Sequence, residues 1–103
     1  MLPYDIHIAY VKVEDGKHRP VVILFEEETA VAVYKITSQY EGKSDAMRSH
    51  YLTILDWQEA GLSKPSYIDM VKAYQVPLAS VRRTPMGTLS TRDREALIVA
   101  MTF

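Results

Sequence analysis

The residues Val21-Val22-Ile23-Leu24-Phe25 form an unbroken apolar run, entered through His18-Arg19-Pro20 and closed by Glu26-Glu27-Glu28. A strand with one wet face alternates apolar and polar side chains. A run without alternation predicts a strand whose two faces are both buried. Proline suits the first residue of such a strand, where no ladder donor is needed. Arg19 is thereby fixed at the rim of a rigid sheet. The next strand closes with Ile36-Thr37-Ser38 and brings hydroxyls to a second sheet edge. A fixed guanidinium beside a hydroxyl is a small phosphate site.

The rest of the pattern supplies neighbours for that strand. Ile6, Ile8 and Tyr10 alternate with Asp5, His7 and Ala9, predicting a half-buried first strand that runs to about Val13. Glu14-Asp15-Gly16-Lys17 reads as a tight hairpin turn, and Thr29 to Ile36 as the third strand. From Thr37 to Arg48 the residues are polar and predict a long mobile loop. Tyr51 to Leu55 predicts a short strand, and Asp56 to Gly61 one helical turn capped by Asp56 and ended by Gly61. Ser66 to about Ala73 predicts a further strand. Pro77 excludes Val76 to Val81 from a central strand and permits a helical turn. Arg82 to Thr88 reads as a last strand interrupted at Pro85 and Gly87.

Ser90-Thr91-Arg92-Asp93 has the form of a capping box, and Glu95 to Thr102 the form of a helix. Its apolar arc (Ala96, Leu97, Ile98, Val99, Ala100, Met101) is wider than one core-facing stripe and predicts a contact with a second copy. Five or six short strands and a C-terminal helix point to a mainly β protein, a small and strongly bent sheet or barrel.

Composition narrows the function classes. With 103 residues the chain is expected to be one domain, residues 1–103. Without cysteine there is no disulfide framework and no thiolate metal site, which fits a cytoplasmic location. Neither a membrane span nor a secretory signal is visible. Formal charge is -1, so any nucleic-acid site must come from a local cluster of cations. The three histidines lack ligand spacing, so no metal and no cofactor are expected.

Four ordered segments carry a resemblance: Gly16-Lys17-His18-Arg19-Pro20-Val21-Val22-Ile23-Leu24, Ile36-Thr37-Ser38, Gly61-Leu62-Ser63-Lys64-Pro65-Ser66-Tyr67-Ile68 and Met86-Gly87-Thr88-Leu89-Ser90-Thr91-Arg92-Asp93. With these the chain resembles the PemK/MazF family of toxin ribonucleases from bacterial toxin–antitoxin modules. The resemblance implies an SH3-like barrel of five to seven short strands with a C-terminal α-helix, in a homodimer. It implies metal-independent cleavage of single-stranded RNA to 2′,3′-cyclic phosphate and 5′-hydroxyl ends, and an antitoxin peptide covering the groove. Arg19 and Thr37 match catalytic positions of many members. The family's loop between the first two strands is shortened here. The Arg and Asp that some members carry after the Gly-Leu segment are not reproduced near Asp69-Met70-Val71-Lys72.

Each candidate has an ordinary reading beside the functional one. Arg19 suits a phosphate because it stays charged and offers paired donors; otherwise it is a surface cation pairing with Asp15 or Glu14, worth at most about 1 kcal/mol. Thr37 either holds a phosphate oxygen or caps a loop amide. Ser38 either contacts phosphate or orders the loop. His18 offers an imidazole, the natural acid or base near neutral pH, yet neighbours on a strand point to opposite faces, so it joins Arg19 only across an irregular turn. Lys17, Arg82 and Arg83 are candidates for the RNA backbone, and Tyr40, Tyr51 or Trp57 for base stacking, with Trp57 favouring the core. The rival to an enzyme is the same barrel kept as an antitoxin- or peptide-binding module after catalysis was lost.

Overall fold

The unbroken apolar run lies in the middle of the sheet. The computed structural model describes residues 1–11 and 16–102. Strand β2 (Lys17–Glu26) is flanked by β1 (Asp5–Val11) and β3 (Ala30–Thr37). The sheet has six strands in the order β4-β5-β3-β2-β1-β6, adding β4 (Tyr51–Thr53), β5 (Tyr67–Pro77) and β6 (Gly87–Thr88). All its pairings are antiparallel. A short helix α1 (Asp45–Arg48) precedes β4, and α2 (Thr91–Thr102) ends the chain. The protein is therefore mainly β with a C-terminal helix.

Alternation along the strands builds two cores, one on each face. Ile6, Val22, Ile36 and Ile68 share one face and pack with Ile54, Ala60, Leu62, Leu89 and Leu97 of α2. Ala9, Val21, Ile23, Val31 and Val33 share the other and pack with Tyr74, Val76 and Val81. Val21, Val22 and Ile23 have no exposure, as a strand covered on both faces requires. Leu24 is half-buried and Phe25 is 51% exposed, so the double burial expected of the whole run holds only for its first three residues.

Several boundaries move. Pro20 is the fourth residue of β2, not the first. It sits opposite Ile8, one residue past the last β2–β3 pair, Val21 with Lys35, so the β3 ladder loses no donor there. β5 continues through Val76 to Pro77, which pairs Ala30. β4 covers only the first three residues of β5, so Pro77 lies on an open edge where its missing N–H costs nothing. The stretch from Arg82 contributes only Gly87–Thr88 to the sheet, with an isolated bridge between Val81 and Ala9. The first strand ends at Val11 among the described residues; Val13, Glu14 and Asp15 of the expected strand end and turn lie outside them. The expected long loop contains α1, capped by the Ser44 hydroxyl, which accepts from the Met47 amide at 3.2 Å.

The turn over 54–62 and the start of α2 are locked together. The turn closes through Ala60 to Asp56 and Leu62 to Trp57 amide–carbonyl bonds, and Gly61 has φ 84. A Cβ on Gly61 would stand 2.2 Å from the Met86 carbonyl oxygen, and one on Gly87 2.4 Å from that of Ala60. Two backbones meet there with no room for a side chain. Ser90 accepts from the Asp93 amide at 3.3 Å, which is half of the expected capping box. The other half is absent, because the Asp93 carboxylate accepts instead from the amides of Leu55 and Asp56 at 2.9 and 2.8 Å. Asp56 does not cap its own turn with its side chain: its carboxylate takes Arg92 and Ser90.

Candidate functional site

The face of the sheet that forms the second core turns polar toward one end of β2 and β3. Val21 pairs Lys35, Lys35 pairs Asp69, and Asp69 pairs Tyr51, which makes one row across four strands. Arg19 and Thr37 lie two residues further along β2 and β3, hence on the same face, with Thr37 opposite Tyr67. This second row opens onto a cleft of about 520 Å³. Among the described residues, Lys17, Arg19, Lys35, Lys43 and Lys72 line it, with Asp69 the carboxylate beside them. Five of the chain's 12 basic residues thus converge on one concavity of a protein whose formal charge is -1. Cations outnumber the carboxylate among the described lining residues, which favours a positive field there.

The loop that walls the cleft is held in place. Tyr40 stacks on Tyr67 with ring centres 4.5 Å apart, and the Arg48 guanidinium covers Tyr40 at 4.8 Å. Arg48 also donates through Nε to the Tyr40 carbonyl at 3.3 Å. Tyr40 is therefore engaged by two neighbours within the protein. Thr37 Oγ1 accepts from the Gln39 amide at 3.1 Å, the loop-capping role. That contact leaves its O–H able to donate into the cleft, where Thr37 is half-buried. Lys35 Nζ stands 3.8 Å from Asp69 Oδ2, with side chains 10% and 11% exposed. The Tyr74 ring lies beneath two ammoniums, 5.4 Å from Lys35 Nζ and 5.2 Å from Lys72 Nζ.

No family model matches the sequence, and no curated protein sequence matches it. Solved structures do. The toxin MazF-mt6 of Mycobacterium tuberculosis is 28% identical over 94% of this chain and 91% of its own, with a TM-score of 0.70. An Mtb toxin is 27% identical over 95% of this chain and 96% of its own, with a TM-score of 0.66. Over nearly its whole length the chain shares its fold with MazF toxins.

On this PemK/MazF fold the sequence candidates separate. Lys17, Arg19, Thr37 and Ser38 line the one cleft. His18 does not: it pairs Tyr10 on the opposite face, with the two rings 5.3 Å apart, because alternation along β2 is regular there. Arg82 and Arg83 are also elsewhere. The Arg82 carbonyl accepts from His7 Nδ1 at 2.7 Å, and Arg83 borders a separate hollow with Met1, Asp5 and Glu26. Trp57 packs against the helix-side core, while Tyr51 borders the cleft.

Lys35, Asp69, Lys43 and Tyr74 are cleft residues that the sequence reading passed over. A signal existed for two of them. Lys35 interrupts the apolar series Val31-Ala32-Val33-Tyr34 just before Ile36, and Asp69 follows Ile68 inside a strand. A charge within a buried strand needs a partner, and each is the other's. Among the described residues no three His, Cys, Asp or Glu side chains converge as a metal site.

Proposed function

We propose that this chain, as one domain over 1–103, is a cytoplasmic toxin endoribonuclease that cleaves single-stranded RNA with sequence preference and without a metal. The observation that carries this is the convergence of Arg19, Thr37 and four lysines in one cleft of a PemK/MazF fold. In the reaction the substrate 2′-hydroxyl attacks the adjacent phosphorus in line. The products are a 2′,3′-cyclic phosphate and a 5′-hydroxyl. In-line attack needs a splayed backbone, which single-stranded RNA reaches and an A-form duplex resists.

Arg19 stabilises the extra charge on the five-coordinate phosphorus with paired N–H donors. Thr37 donates its hydroxyl to a non-bridging oxygen. Lys17 and Ser38 hold the flanking backbone. The same cationic cleft fits an acidic antitoxin segment that would block RNA. A second copy of the chain covers the outer side of α2, where Ile98, Val99 and Met101 are 42%, 56% and 47% exposed.

The test is incubation of the purified protein with a mixed-sequence RNA in excess EDTA. Cleavage is expected, with cyclic-phosphate ends, and Arg19→Ala should lower it by about 10²-fold or more. Cleavage only on adding magnesium, or 3′-hydroxyl products, would contradict the mechanism. No cleavage but tight binding of an acidic peptide would favour the non-catalytic binding module, the reading suggested by the missing Arg and Asp on β5. Sedimentation at micromolar concentration should show a dimer that Val99→Glu weakens.

A further inference from the structure

The segment between β3 and β4 supplies part of the cleft wall, through Ser38, Gln39, Lys43 and Met47. No residue from 38 to 50 is buried, so core packing does little to hold it. Its position rests on directed contacts, and several of them come from Arg48 at the end of α1. Arg48 Nε donates to the Tyr40 carbonyl at 3.3 Å, and the guanidinium lies 4.8 Å from the centre of the Tyr40 ring. A guanidinium can do both at once because it is planar and carries its donors along its edge. Nη2 also reaches Glu41 Oε2 at 3.4 Å, but that carboxylate is 94% exposed and the contact adds little.

This clamp is tied to the sheet at both ends. Two residues after Arg48, the His50 carbonyl accepts from the Met70 amide at 2.9 Å, continuing the β4–β5 pairing. At the other end Tyr40 stacks on Tyr67, with ring centres 4.5 Å apart and planes 20° apart. Tyr67 is the cross-strand partner of Thr37. Between the two ends the Gln39 amide donates to Thr37 Oγ1 at 3.1 Å. A threonine hydroxyl has one proton to give and two lone pairs. An amide on one lone pair holds the oxygen in place and leaves the proton to point elsewhere. The aim of the Thr37 hydroxyl therefore depends on where residue 39 is held, and Tyr40 holds its neighbour.

Resting on the ribonuclease reading of the cleft, we propose that Arg48 is a positioning residue for Thr37, acting through Tyr40 and the Gln39 amide. Arg48 is not among the described residues that line the cleft, so it reaches the reacting phosphate only through others. With the clamp closed, the Thr37 hydroxyl meets a non-bridging oxygen already aimed at it. With the clamp removed, the amide leaves Oγ1 and the hydroxyl turns away; a misplacement of about 1 Å can cost about 10²-fold in rate. The competing role for Arg48 is one more cation that attracts RNA. Lysine would keep that role, and its effect would fall on binding. Positioning needs a planar group over Tyr40, which lysine lacks, and its effect falls on the rate of bound RNA.

The experiment measures kcat and KM on an oligoribonucleotide the protein cleaves, for Arg48→Ala, Arg48→Lys, Thr37→Val and the combination of Arg48→Ala with Thr37→Val. Thr37→Val should lower kcat by about 10²-fold, the scale for one lost transition-state donor. Arg48→Ala should lower kcat by about tenfold or more and change KM less, and Arg48→Lys should recover little of the loss. In the Thr37→Val background, Arg48→Ala should change kcat by less than about twofold, because the group it acts through is already gone. Hydrogen exchange at the Gln39 amide should quicken in both Arg48 variants. Tyr40→Leu keeps Arg48 and removes the ring it covers, so it provides the same test if Arg48→Ala fails to fold. Its loss in kcat should match that of Arg48→Ala. Full activity in Arg48→Lys, an effect confined to KM, or losses that multiply with Thr37→Val would each overturn the positioning role and keep the ribonuclease. A wild-type protein that cleaves no RNA would overturn both.

Discussion

The protein contains two cation–carboxylate pairs built in opposite ways. At the start of α2, Arg92 grips Asp56 with two charge-assisted bonds of 2.6 and 2.7 Å, and the Ser90 hydroxyl adds a third at 2.6 Å. In the cleft, Lys35 and Asp69 stand 3.8 Å apart. The first pair is more exposed and geometrically closed: planar fork meets planar carboxylate. The second is nearly buried, with Nζ and Oδ2 beyond hydrogen-bond distance of each other. A pair that only ties segments together has every reason to close. Lys35 stands instead beside the Tyr74 ring, and with Asp69 it borders a cleft that four further cations line. The molecule thus places its tightest ion pair at the start of α2 and its cluster of cations in the cleft.

This contrast breaks if the fastening end matters for cleavage or the cleft end dominates stability. The largest expected effect is at Asp93, which is 2% exposed and accepts from Leu55 and Asp56. Asp93→Ala leaves two backbone donors without their acceptor, at about 1–3 kcal/mol each. In a domain of this size that is a fall in Tm of roughly 10–30 °C. Cleavage per folded molecule should not change, and thermal melts beside initial rates at low temperature would check both halves. Conversely, Arg19→Lys should melt near wild type yet recover little of the activity lost in Arg19→Ala, because an ammonium cannot reproduce paired donors. Full activity in Arg19→Lys would mean that the cleft needs charge alone.

The two ends were not equally legible in the sequence. The central strand, its double burial and the C-terminal helix followed from apolar periodicity, which reports burial directly. Arg19 and Thr37 could be brought together because one opens and the other closes adjacent strands, and alternation warned correctly against His18. The long strand through Val76 was hidden by Pro77, since a sequence does not say which edge of a strand is open. Asp93 looked like half of a capping box because spacing was visible and the distant amides at 55 and 56 were not. Lys35 and Asp69 lie 34 positions apart, and only the β3–β5 register makes them neighbours. Pairing across strands is the information a single sequence holds most weakly.

A smaller effect sharpens the cleft side. Lys43 and Lys72 border the cleft away from the Arg19–Thr37 row and are suited to hold RNA without touching the reacting phosphate. Neutralising both, as Lys43→Gln with Lys72→Gln, should weaken RNA binding and leave the rate of bound RNA nearly unchanged. The log–log slope of affinity against salt should fall by about 1.4, at roughly 0.7 per phosphate contact on single strands. An unchanged slope would show that these lysines face solvent rather than phosphate.

The smallest expected effect tests the fastening pair by pH. Hydrogen bonds from Arg92 first, and then Ser90, lower the Asp56 carboxyl from 3.8 to about 2, against a smaller opposing effect of burial. A carboxyl held lower in the folded state than in the unfolded chain favours folding wherever the unfolded carboxyl is ionised. Its contribution is therefore complete above about pH 4 and is lost as pH falls toward 2. Arg92 is mostly exposed, so water screens the contact and the change in stability is small. The titration itself is the cleaner readout. Carboxyl NMR should place Asp56 well below an ordinary aspartate, and Arg92→Gln should return it most of the way, with Ser90 retaining the remainder. RNA cleavage by Arg92→Gln should match wild type at every pH where both are folded. A cleavage defect in that variant would join the two ends of the molecule that the geometry keeps apart.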